Sequence, residues 1–216
     1  MDRRKFICAA GTLAVGLAGM GAASLAGAAT PGEGAPGLAG KTLVAALRVR
    51  KSERAYADAP LDEAQLLELL WAAFGVNRSD GRRTAPSALN RQEIAIYAAR
   101  KDGLFLYDAH NGALTRKLKA DLRAKTGVQG YVGTAPVNLI YVADMDRVAG
   151  GTPEARLVTA GLDTGFISQN VYLYCAAAGL ATVARTGIEI PALSKAMGLA
   201  ANQRVILAQC VGHPKA

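Results

Sequence analysis

Between Leu61 and Gly75 the apolar residues Leu66, Leu69, Leu70, Ala73 and Phe74 recur at helical spacing, which gathers them on one face of a helix. Asp62 and Glu63 stand where carboxylates complement the positive end of the helix dipole, and Gly75 follows the last turn. The pattern then shortens. Ile94 to Ala98 and Leu104 to Tyr107 are brief apolar runs separated by Lys101-Asp102-Gly103, whose Asp-Gly favours a tight hairpin. "RKLKADLRAKTG" reads as a short basic amphipathic helix, and "APVNLIYVAD" as a buried strand. In the last third, "EARLVTAGLDTGFISQNVYLYCAAAG" is one helix, or two with a break at Gly161 or Gly165, and it turns Ile167, Val171, Leu173, Tyr174 and Ala178 inward. "LATVARTGI" reads as a loop, "IPALSKAMGL" as a short helix and "QRVILAQCVGH" as a closing strand. Helices and strands mix without a regular βαβ period, and no G-x-G-x-x-G motif is present, which argues against Rossmann and P-loop folds. The class expected is α+β.

The first 29 residues have a different character. Arg3, Arg4, Lys5 and Phe6 precede an uncharged stretch of Gly, Ala and apolar residues, and small residues stand at Ala26, Gly27 and Ala28. This is the pattern of an export signal cleaved near Ala28, and the adjacent arginines resemble the twin-arginine type, with Asp2 where Ser or Thr is usual. An uncleaved membrane anchor is the alternative, disfavoured because Gly and Ala insert weakly. Residues 30–41, "TPGEGAPGLAGK", form a Gly/Pro linker, and residues 42–216 are the folded domain. The expected location is therefore the periplasm or outside the cell, reached through the twin-arginine machinery.

Charge and cysteine content narrow the options. The chain carries a net +8. Arg3, Arg4 and Lys5 against Asp2 account for +2 of it, leaving +6 spread along the domain. No zinc-finger, helix-turn-helix or RNP pattern accompanies the charge, so nucleic acid is not an expected partner. Cys175 and Cys210 lie in apolar runs and read as buried, unpaired thiols. With only His110 and His213 present, a histidine-rich metal site is not expected.

Candidate chemistry sits at the start of the domain. "RVRKSERAY" groups Arg48, Arg50, Lys51 and Arg54 around Ser52, with Lys41 just upstream. Guanidinium forks beside a hydroxyl can hold a phosphate, although a solvated basic face has the same composition. About thirty residues later "APSALNRQ" offers Ser87, Asn90 and Gln92, polar groups suited to a flat polar ring or to a plain turn.

These pieces, in order, resemble the nitroreductase family of FMN-dependent oxidoreductases. The resemblance runs from about Leu43 to Lys215 and rests on five motifs: Arg50-x-Ser52-x-Arg54, Pro86-Ser87-x-x-Asn90-x-Gln92, the run Ala135 to Ile140, the helix Gln169 to Leu180, and Val211-Gly212-His213-Pro214. It implies an α+β fold with a mixed, mainly antiparallel sheet flanked by helices, in a homodimer with FMN at the interface. Arg50, Lys51 and Ser52 would hold the FMN phosphate, and Arg54 the ribityl chain or pyrimidine edge. Pro86, Ser87, Ala88 and Asn90 would contact the flavin ring of the same or the partner subunit. Ala184, Arg185, Thr186 and Gly187 would pass over the flavin face with a backbone N–H near N5, and Lys215 would supply a second phosphate cation.

The implied activity is two-electron transfer through flavin N5 in a ping-pong cycle, with a small-molecule donor and acceptor. A flavin-binding protein without turnover is the alternative. Two features depart from the family pattern: Glu93-Ile94 follow Gln92 where Pro-Trp is common, and Thr186 stands where an acidic residue is frequent. "ELLWAAFGVNR" and "RRTAPSALNRQEI" look closer to the branch containing azoline oxidases, the SagB-type dehydrogenases. Export would also separate the protein from cytoplasmic nicotinamide nucleotides, favouring another electron donor.

Overall fold

A computed structural model describes residues 41–216; the segment expected to be an export signal, and the expected linker apart from Lys41, lie outside the described residues. Four helices and six strands follow in the order α1 (Leu43–Val49), α2 (Glu63–Phe74), β1 (Ile94–Arg100), β2 (Gly103–Asp108), β3 (Ala113–Leu118), β4 (Val137–Asp144), α3 (Pro153–Ala178), β5 (Ala181–Arg185), α4 (Ile190–Met197) and β6 (Gln203–Gly212). The strands form one sheet in the order β3-β2-β1-β4-β6-β5, and every pairing is antiparallel. The α+β class therefore holds, and among the described residues the sheet has no parallel pair.

The sheet's two faces make two cores. On one, Ile94, Ile96, Leu139 and Tyr141 pack with Leu66, Leu69, Leu70 and Phe74 of α2 and with Ile167 and Val171 of α3. On the other, Tyr97, Leu104, Ile140, Val142 and Val205 pack with Leu193 and Met197 of α4. β4 lies inside the sheet and is covered on both faces, so Val137 to Ala143 are all buried. That double burial explains the unbroken apolar run in the sequence. Asp62 caps α2 by accepting the Ala64 N–H at 3.2 Å, and the five apolar positions expected to face inward are all buried.

α3 is continuous over 26 residues, which corrects the break considered at Gly161 or Gly165. Both glycines lie on the exposed side of the helix, beside Leu162 and Phe166, while Ala160, Asp163, Thr164, Ile167, Ser168, Val171, Tyr174 and Cys175 are buried. Burial of one face outweighs the cost of about 1 kcal/mol that each interior glycine carries. Of the inward set expected here, Leu173 and Ala178 are only half-buried. Thr152 caps the start through the Ala155 N–H at 3.2 Å, and Gly179 ends the helix in the left-handed region at φ 71°.

Three further assignments change. "LATVARTGI" contains β5, since Ala181 to Arg185 pair with β6 from Gly212 to Ala208. "RKLKADLRAKTG" is not a helix: its first three residues end β3, and only Arg123–Lys125 form a short 3-10 turn, where the Asp121 carboxylate accepts the Arg123 N–H at 3.0 Å. α1, which the apolar pattern did not reveal, buries only Ala46 and leaves Leu43, Val44, Leu47 and Val49 exposed. Cys175 and Cys210 are buried and unpaired, as expected. Burial raises the pKa of both thiols. No described helix is long and apolar enough to cross a membrane.

Candidate functional site

The basic segment leaves α1 in extended form and lies along the free edge of β5. The Glu53 N–H donates to the Thr182 carbonyl at 2.9 Å. The chain end after β6 runs alongside: Ala57 donates to the His213 carbonyl at 2.9 Å, and Lys215 donates to the Ala55 carbonyl at 3.3 Å. Lys215 is thus carried to the basic segment by main-chain pairing, about 160 residues further along the chain. Arg54 and Lys215 are exposed and have no ion pair among the described residues, whereas Lys51 pairs with Glu53 at 2.8 Å. That pair is solvent-exposed on the lysine side and contributes little to stability.

Tyr172 of α3 joins these parts. Its hydroxyl lies 2.9 Å from Ser52 Oγ and accepts the Ala184 N–H at 2.9 Å, and the Arg50 guanidinium lies 5.2 Å from its ring centroid. The free N–H of an edge strand, a candidate phosphate hydroxyl and a candidate phosphate cation therefore meet at one phenol. Sequence reasoning missed Tyr172. The available signal was its place one residue past Val171, off the inward stripe of α3, where an aromatic with a polar tip faces a site and not the core.

The four residues from Ala184 to Gly187 divide by role. Ala184 and Arg185 end β5, Thr186 is exposed, and Gly187 accepts the Val128 N–H at 3.0 Å. A Cβ at Gly187 would meet the Gln129 side-chain amide, which would have to swing aside. Gln129 Oε1 is buried there with no hydrogen-bond donor. The Arg185 guanidinium points into the protein, so a flavin contact here falls to its main chain, as the family resemblance implies. The residue is 6 % exposed and donates to the Thr126 carbonyl, to Thr126 Oγ1 at 2.7 Å and to Asn138 Oδ1 at 3.1 Å, with Nε 3.4 Å from Cys210 Sγ. Only its main chain is available.

The Pro86–Asn90 loop lies elsewhere. The Ala88 N–H donates to Asp163 Oδ2 at 2.8 Å, and Asp163 precedes Tyr172 on α3 by nine residues, about 13 Å along the axis. Ser87 Oγ accepts the Gln92 N–H at 2.9 Å, and Asn90 Oδ1 accepts from Gln92 Nε2 at 3.1 Å. Leu89, Asn90 and Gln92 have φ of 52°, 54° and 50°, a left-handed run that non-glycine residues seldom adopt and that concentrates at functional sites. One chain thus brings together Arg50, Lys51, Ser52, Arg54, Lys215 and the end of β5, and holds Pro86, Ser87, Ala88 and Asn90 apart from them.

A family model for the nitroreductase family matches residues 47–213. The chain belongs to the nitroreductase family. A nitroreductase-type structure from Ralstonia eutropha JMP134 is 41 % identical, with 82 % of this chain and 84 % of that chain covered at a TM-score of 0.78. A Methanocaldococcus jannaschii protein carrying the nitroreductase name is 28 % identical over 144 residues, 62 % of this chain and 73 % of the relative. The same fold occurs in a Desulfovibrio desulfuricans nitroreductase-type protein solved in complex with FMN, 23 % identical, covering 82 % of this chain and 88 % of that one at a TM-score of 0.61. It also occurs in the Escherichia coli microcin synthetase McbBCD complex with truncated pro-MccB17 bound, 18 % identical, covering 79 % and 73 % at a TM-score of 0.67. The family assignment identifies the chain as an oxidoreductase of nitroreductase type. Among its described residues no group of three or more His, Cys, Asp or Glu is placed to hold a metal.

Proposed function

We propose that this nitroreductase is an FMN-dependent oxidoreductase whose phosphate site is the Arg50–Arg54 segment with Lys215. The convergence of Arg50, Ser52 and the Ala184 N–H on Tyr172 is the observation that carries the reading. The donor set suits the cofactor: cations and a hydroxyl for a phosphate, and an edge-strand end for a flat ring, with Glu53 as a carboxylate paired to Lys51. When bound, FMN supplies two-electron transfer through N5 in a ping-pong cycle. The chain's own part is to bind and orient. Arg50, Lys51 and Lys215 neutralise the phosphate, Ser52 directs a hydrogen bond to it, and Arg54 faces the ribityl or pyrimidine side, where a cation favours the anionic reduced ring.

Homodimerisation completes the site in this reading. Leu157, Val158, Leu162 and Phe166 are exposed on α3, and Leu43, Val44, Leu47 and Val49 on the adjoining α1, apolar residues that a second copy would cover. The Pro86–Asn90 loop then serves the flavin of the partner subunit, which accounts for its distance from Tyr172. A charge among these residues, Leu162→Glu, is expected to weaken the dimer at least thirtyfold, about 2 kcal/mol, by sedimentation equilibrium. Undiminished dimerisation would place the interface elsewhere.

Tyr172→Phe keeps the ring under Arg50 but frees Ser52 and the Ala184 N–H. FMN affinity is expected to fall about five- to tenfold, from one to two net hydrogen bonds, as read by quenching of flavin fluorescence. An unchanged affinity would reduce Tyr172 to an edge-strand cap.

The proposal extends to location and donor. The first 29 residues act as a twin-arginine-type export signal, and the protein works outside the cytoplasm with a quinol, a protein partner or the substrate itself as electron source. Its sequence likeness to the azoline-oxidase branch favours small-molecule or peptide dehydrogenation beside reduction of nitro or quinone compounds. Anaerobic mixing with a quinol, NADH and NADPH tests this. Bleaching of the flavin bands by the quinol with no response to the nucleotides supports it, and bleaching by NADPH alone overturns it.

A further inference from the structure

The carboxyl of Glu93, which stands with Ile94 where the family's Pro-Trp is common, is a buried neighbour of the Asp163 carboxyl that holds Ala88 of the Pro86–Asn90 loop. Glu93 is 2 % exposed and Asp163 is 4 % exposed, and no donor on another residue engages either carboxyl oxygen of Glu93. Asp163 accepts the Ala88 N–H at 2.8 Å, and on the other side of the loop Arg147 Nη2 donates to the Arg91 carbonyl at 2.6 Å. The left-handed backbone at Leu89, Asn90 and Gln92 lies between these anchors, so the loop's shape depends on them.

We propose that Glu93 and Asp163 form a proton-dependent latch that positions the Pro86–Asn90 loop. With a proton on Glu93, its carboxylic acid donates to the Asp163 carboxylate, and Asp163 stays in place to hold Ala88. When Glu93 loses that proton, two buried negative charges face each other, the contact breaks and Ala88 is released. The latch would thereby regulate the cofactor site, and in that respect it rests on the FMN reading given above.

The surroundings set the range in which the latch works. Burial raises the Glu93 pKa to about 7, opposed by its own backbone N–H and reinforced by Asp163, while Arg147 pulls it down. Because the folded value lies above the ordinary one, the protonated, latched form prevails below about pH 7 and is lost as the pH rises through it. Glu93 also lines a cavity of about 500 Å³ that other charged groups face, Lys117 from β3 among them. Arg83 and Tyr107 approach from the loop after α2 and from β2, Asp108 and His110 from the end of β2, and Asp144 from β4, its N–H donating to the Glu93 carbonyl at 3.0 Å. Tyr107, with its pKa raised to about 12 by burial, stays neutral throughout.

The test follows the Ala88 amide by ¹H–¹⁵N NMR between about pH 5 and 9, in the full chain, without added flavin. The expected result is a titration of that amide with a midpoint near 7 that vanishes in Glu93→Gln and moves to lower pH in Asp163→Asn. An amide that does not titrate, or that titrates unchanged in Glu93→Gln, overturns the latch. FMN affinity is measured in parallel and is expected to be about tenfold weaker at pH 8 than at pH 6 in the wild type and equal in Glu93→Gln. Titration of Ala88 in a chain that binds no FMN would leave the latch standing and remove the cofactor reading. Tight FMN binding without the titration would do the reverse.

Discussion

Arg50→Ala is expected to weaken FMN binding about a hundredfold while leaving the fold intact. The guanidinium is half-exposed and rests on the Tyr172 ring, so its removal opens no buried cavity. Charge-assisted hydrogen bonds to phosphate each contribute about 1.5–3 kcal/mol, and loss of a bidentate pair accounts for the change. Arg50→Lys keeps the charge and loses the fork, so it is expected to fall between wild type and alanine. Equilibrium dialysis reads the affinity and the thermal unfolding midpoint reads the fold. A fall in both would make Arg50 a structural residue, and a fall in neither would move the phosphate elsewhere.

The largest stability effect is expected at Gln209, which is fully buried between the sheet and α3. Its Oε1 accepts from Tyr141 at 2.7 Å and Ser168 at 2.8 Å, and its Nε2 donates to Thr182 Oγ1 at 3.0 Å. Gln209→Leu preserves bulk but strands the Tyr141 and Ser168 hydroxyls. Burial holds the Tyr141 pKa far above its usual range, so ionisation offers no relief. At about 1–3 kcal/mol for each stranded group, the loss is about 4 kcal/mol, a large part of the stability of a typical domain. It appears as a lower urea midpoint at constant slope. Adding Tyr141→Phe and Ser168→Ala to Gln209→Leu should recover much of the loss, because the groups left without partners are then gone. A triple variant no better than the single one would show that Gln209 acts through packing alone.

Elements whose burial is one-sided or complete were legible in the sequence. α2 carries its five buried residues at helical spacing with marked ends, and β4 announces its double coverage by an unbroken apolar run. β5 reads as a loop because it is only five residues long, too short for a strand pattern to stand out. α1 escaped because most of its apolar residues face outward, which leaves no inward stripe to detect.

The candidate site was legible where chemistry is local, as in the cations and hydroxyl of Arg50 to Arg54. It was obscure where chemistry arises across the fold. Asp163 carries no signal of its own in the sequence and gains a role only when Ala88 is seen against it, and nothing in the sequence signals that the Arg185 guanidinium lies among Thr126, Asn138 and Cys210. Tyr172 gains meaning only from the segments packed on its hydroxyl.

The most direct measurement of the central claim is the visible absorption spectrum of the purified protein, before and after heat release of bound ligand. The twin bands of an oxidised flavin, with FMN as the released species, are the predicted result. A colourless protein that also fails to take up added FMN would contradict it.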